Sequence, residues 1–110
     1  MKVRPILIEL LAAAFAVVLG YTLHFIVVWN LAETLRGRSD ITAAKQQFGW
    51  VFLVGAAAAA GASPVLAMWI AREARASALK ASWFAVVFEA AGVIPYLYLF
   101  VEFVVPKIPD

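Results

Sequence analysis

The sequence predicts an all-α membrane protein with three transmembrane helices in an antiparallel, up-down-up arrangement. Three observations carry that expectation. First, the 110 residues are 65% hydrophobic and only 15% charged, with a mean hydropathy of +0.93, far from the roughly half-apolar composition of soluble domains. Second, the apolar residues gather into runs at about 5–32, 48–71 and 79–105. A spanning helix needs about 20 apolar residues, because each adds about 1.5 Å against a hydrocarbon core of about 30 Å. Third, Trp29, Trp50, Trp69 and Trp83 all fall near run ends, where an indole buries its apolar body and keeps its N–H wet.

Taken in order, the first run, PILIELLAAAFAVVLGYTLHFIVVWNLA, follows the basic Lys2 and Arg4 and contains small-residue positions, as a signal peptide would. Its apolar character continues well past the roughly 7–15 residues of a signal core, so it is expected to be an uncleaved helix. Its length exceeds what a perpendicular helix needs, which calls for tilt or projection beyond the hydrocarbon. The polar loop 33–47 follows, with Gly37 as a helix stop and Ser39 or Asp40 placed to cap the next helix, which leads through Lys45 into the second run. The second and third runs are joined by REARASALK, which has neither Gly nor Pro, so helical geometry is expected to persist close to the turn. All of this forms one integral membrane domain, 1–110.

Orientation rests on the basic residues. Lys2, Arg4, Arg72, Arg75 and Lys80 lie on one side, against Arg36, Arg38, Lys45 and Lys107 on the other. With the N-terminal amine this favours a cytoplasmic N-terminus, in a bacterial-type inner or plasma membrane. The net charge of +2 is spread over run flanks and is no nucleic-acid footprint. There is no cysteine, hence no disulfide and no thiolate metal site. Phosphate loops, nucleophile elbows, HExxH and paired carboxylates at enzyme spacing are also missing, so no catalytic residue and no metal site is expected.

Chemistry then rests on a few polar residues inside the runs. Glu89 lies well within the third run, where a carboxylate costs several kcal/mol and must be neutral, paired or beside water. Gly92, Pro95 and Tyr96 lie close to it, and Pro95 withdraws a hydrogen bond from the Ala91 carbonyl, so Glu89 with Tyr96 is the proton- or cation-coupling candidate. The alternative is that Glu89 is packing glue. Glu9 and Glu102 lie near run ends and are expected to be interfacial, Glu9 pairing with Lys2 or Arg4 and Glu102 with the Tyr98 phenol. His24, the one histidine, is expected to be an interhelical hydrogen-bonding residue with Tyr96 and Tyr98 as its companions in depth. A haem or quinone contact at His24 is the other reading, and otherwise no cofactor is called for.

The second run holds GAAAAAGASP. Gly55 with Ala59, and Ala57 with Gly61, present small residues at four-residue spacing that let helices approach closely. Pro64 is expected to kink this helix and free the Ala60 carbonyl for Ser63; Pro64, Gly92 and Pro95 are the hinge candidates. Three functions are compatible with these features. The first is an accessory or structural subunit whose partners are lipids and other membrane subunits or copies of itself. The second is an oligomeric small transporter or channel protomer coupled through Glu89. The third is a haem or quinone anchor using His24. Nucleic acid is not an expected partner.

Overall fold

The computed structural model describes residues 4–35 and 39–107. Lys2, Arg36, Gly37 and Arg38, which enter the orientation and loop expectations, lie outside the described residues. The described chain is helical, in three long segments: α1 (Pro5–Thr34), α2 (Ile41–Glu73) and α3 (Ala78–Leu99). α3 runs on through a π-helical turn, Phe100–Val104, and a 3-10 turn, Val105–Lys107. Each of the three is long and apolar enough to cross a membrane.

Local chemistry explains the ends. Pro5 opens α1 at a position where a missing N–H costs nothing. α2 begins at Ile41, well before its apolar stretch opens at Phe48, and Asp40 sits at the N-cap without capping through its side chain. Between α2 and α3 the chain closes tightly. The Ala76 N–H donates to the Ala71 carbonyl at 2.8 Å and the Arg75 N–H to the Arg72 carbonyl at 3.1 Å, with Arg75 left-handed at φ 59°. This is a Schellman closure with an arginine where glycine is preferred. Ser77 then caps α3, its side chain accepting from the Lys80 N–H at 3.3 Å.

The three helices pack against one another in two apolar clusters. One joins Ala13, Ala16 and Val17 of α1 to Ala67 and Ala71 of α2 and Ala81 and Ala85 of α3. The other joins Val28, Ala32 and Leu35 to Ala44 and Phe48 and to Val104 in the π turn. The first is built almost wholly of alanine, which permits close helix approach; in the second, Phe48 and Phe52 pack on Phe100 at ring-centroid distances of 6.3 and 4.9 Å. The Lys107 ammonium, at the end of the 3-10 turn, pairs with Glu33 at 2.6 Å and lies 4.0 Å above the Trp29 ring. The bundle is long and thin, 59 × 20 × 19 Å. Its outer surface carries large apolar side chains, including Ile94 at 78% and Leu79 at 68% exposure.

Glu9 differs from its expected place, and Glu102 from its expected pairing. Glu9 is 2% exposed, turned inward rather than toward headgroups and Arg4. Its Oε1 accepts from the Ser77 N–H at 3.4 Å, tying the start of α1 to the start of α3, and its Oε2 has no hydrogen-bond partner among the described residues. Glu102 is exposed, as is Tyr98 at 65%, and no hydrogen bond joins them among the described residues. The π turn explains this: with more residues per turn, positions four apart no longer stack on one face.

Candidate functional site

Between the two apolar clusters lies a polar layer, to which every helix contributes. α1 supplies Gly20, Tyr21 and His24, α2 supplies Phe52, Gly55, Ala59 and Ser63, and α3 supplies Glu89, Gly92 and Tyr96. A cleft of about 430 Å³ opens here, and Tyr21, His24, Ser63, Glu89 and Tyr96 all stand on its wall. A larger groove of about 620 Å³ runs along α1 and α2 and shares Gly20, His24, Ala59 and Ser63 with the first, but among the described residues no carboxylate lines it. The cleft with Glu89 is therefore the candidate site.

Its hydrogen bonds bind the helices together. The Tyr21 hydroxyl donates to the backbone carbonyl of Glu89 at 2.6 Å, pinning α1 to α3 at the very residue that carries the acid. His24, 7% exposed, joins all three helices. Its Nε2 is 2.9 Å from the Phe52 carbonyl; a carbonyl only accepts, so Nε2 carries the hydrogen, and in the neutral ring Nδ1 accepts from the Tyr96 hydroxyl. The rings reinforce the contacts, with Tyr21 and Tyr96 centroids 4.9 Å apart and Phe52 edge-on to His24 at 4.8 Å. Of the two tyrosines expected beside His24, Tyr96 is there and Tyr98 faces outward.

Ser63, 4% exposed, donates to the Ala59 carbonyl at 2.9 Å, with the Ala16 carbonyl 3.3 Å away. The expected bond to Ala60, freed by Pro64, is not the one it makes: Ser63 reaches back one turn along α2 and across to α1. Ser63 and Glu89 stand on the wall of the same cleft.

Glycines make the room. A Cβ at Gly92 would lie 2.8 Å from the Tyr21 ring, one at Gly20 would lie 2.6 Å from the Ser63 Oγ, and one at Gly55 would lie 3.2 Å from the His24 ring. Each of these glycines seats a polar side chain from another helix. Gly55 and Ala59 face α1, as close-packing residues would. Gly61 has open space where its Cβ would be, and Ala57 is exposed with it, so this pair faces away from the other two helices. Pro64 is half-buried within α2 and Pro95 is exposed within α3, just before the π turn.

Haem ligation by His24 does not fit this geometry, since both ring nitrogens already have protein partners and an iron would have to displace one of them. Among the described residues no cluster of His, Cys, Asp or Glu is placed to hold a metal ion. Sequence reading missed Tyr21, Gly20 and Ser63 as site residues. Tyr21 and His24 follow Gly20 within one turn of α1, and that spacing of a glycine with two polar side chains inside an apolar run was the available signal.

Compared with protein-family models, curated proteins and solved structures, the chain gives no match.

Proposed function

We propose that this chain is a multi-pass membrane protein, its helices running up-down-up with the N-terminus cytoplasmic, that works through an intramembrane carboxylate. In this reading Glu89 takes up and releases a proton or cationic solute within the hydrocarbon layer, as a small transport protomer would. The observation that supports it is the position of Glu89 on the wall of a roomy cleft that Ser63 also lines. A carboxyl serving as packing glue has no need of such a space beside it.

In this reading the Ser63 hydroxyl on the same wall serves the exchange: it accepts from a neutral Glu89 and donates to an ionised one, so one rotation of a hydroxyl suits both charge states. Tyr21 holds the backbone of Glu89 fixed meanwhile. The test is carbodiimide modification in liposomes, which needs a protonated carboxyl in apolar surroundings. The expected result is a single adduct on the peptide carrying Glu89, and loss of proton uptake in Glu89→Gln. An unreactive Glu89 overturns the reading.

A second reading, an accessory subunit of a larger or homomeric membrane assembly, draws support from the outward face of α2, where Ala57 and Gly61 offer a neighbouring helix a close approach. A stable, isolated monomer in mild detergent counts against it.

A further inference from the structure

We propose that the cleft binds an organic monocation with an apolar body, such as a quaternary or aryl-substituted onium ion, which enters sideways from the lipid phase between α2 and α3. The proposal rests on the reading of Glu89 as the working carboxylate and adds the class of solute it takes.

The charge of the site selects the charge of the ligand. Among the described residues, Glu89 is the sole acid on the cleft wall, and no lysine or arginine lines it. His24 adds no free donor, because both of its nitrogens are engaged. One positive charge is therefore matched there, while an anion meets an unpaired carboxylate and a dication is left half-compensated in low dielectric.

The ligands available to a metal ion are too few. Divalent cations need about six or more oxygens. Here the side-chain oxygens on the wall are the two of Glu89 and the hydroxyls of Tyr21, Ser63 and Tyr96, among the described residues, and only Glu89 carries charge. An onium ion needs no such shell. Its charge is spread and weakly hydrated, and it is satisfied by one carboxylate and the faces of aromatic rings. Tyr21, Tyr96 and Phe52 stand together on the same wall as Glu89.

Volume and access complete the fit. The cleft, about 430 Å³, lies within the roughly 300–1,000 Å³ of small-molecule pockets, far more than a proton needs. Its lip is formed by exposed apolar residues, Ala60 on α2 and Val86, Ala90 and Val93 on α3. A solute already partitioned into the acyl chains meets this opening directly, and a strongly hydrated amine or sugar does not.

The test uses the full chain in lipid nanodiscs and two probes of one shape and opposite charge, tetraphenylphosphonium and tetraphenylborate. The expected result is saturable binding of the cation alone, with affinity falling about tenfold or more in Glu89→Gln, as for loss of a charged partner, and unchanged in Glu102→Gln. Ala90→Trp, which fills the lip and leaves the carboxyl intact, is expected to abolish binding while the helical circular dichroism persists. Equal binding of both probes, or cation binding retained in a folded Glu89→Gln or Ala90→Trp, overturns the proposal. If carbodiimide modifies Glu89 but the cation does not bind, the solute class is wrong and the coupling carboxylate stands; if neither occurs, both readings fall.

Discussion

At the scale of single residues, the polar layer depends on what the glycines leave out. Glu89 was legible as the acid to explain, because a carboxylate inside an apolar run is costly wherever the chain folds. The residues that serve it were not, since Ser63 and Tyr21 look in sequence like ordinary tolerated polar residues in membrane-length helices. Gly92 illustrates the difference. Beside Pro95 it reads as a hinge candidate, and the fold adds that it is the space into which the Tyr21 ring packs. Gly92→Ala, with its Cβ 2.8 Å from that ring, is expected to displace Tyr21 from the Glu89 carbonyl and destabilise the bundle by about 1–3 kcal/mol. Gly61→Ala, where nothing lies within 4 Å, is expected to be neutral or stabilising by up to about 1 kcal/mol. Unfolding in mixed micelles compares the two; equal effects would mean that Gly92 is not a seat.

At the scale of elements, the three apolar runs were legible because length and hydropathy fix them, and what interrupts them was not. The π turn at Phe100–Val104 lies just beyond Pro95. A missing N–H loosens the hydrogen-bond ladder and gives an extra residue somewhere to be accommodated. Sequence marks the proline but not the register shift, and that shift separates Tyr98 from Glu102. The turn between α2 and α3 lies where REARASALK placed it, with helix kept close on both sides, but its left-handed closure was not legible, since no glycine announces it. There Arg75 takes the left-handed conformation at φ 59°, which costs an L-residue about 1–2 kcal/mol, and the Glu9 carboxylate accepts from the neighbouring Ser77 N–H. Arg75→Gly is expected to raise stability by up to about 1 kcal/mol, the relief of strain being partly offset by the entropy of glycine in the unfolded chain. A lower unfolding midpoint for Arg75→Gly would show that the arginine side chain contributes more than its backbone costs.

At the scale of the whole molecule, the arrangement is two apolar plugs with a polar layer between them, wrapped in an apolar surface. Its sense in a bilayer can be read with single cysteines, since the native chain has none. Ser39→Cys is expected to react with an impermeant maleimide from outside intact cells and Ala74→Cys only after permeabilisation; the reverse pattern would invert the proposed orientation while leaving the cleft unchanged. The sequence by itself determined that the chain forms three helices long and apolar enough to cross a membrane, because that follows from sums over composition and from the length of apolar runs. Which faces meet was decided by tertiary structure alone. A helix that is apolar nearly all round has no amphipathic stripe to declare its inner side, so only packing shows that Gly20, Gly55 and Gly92 turn inward to seat Ser63, His24 and Tyr21, that Gly61 turns outward, and that Glu89 stands beside open space.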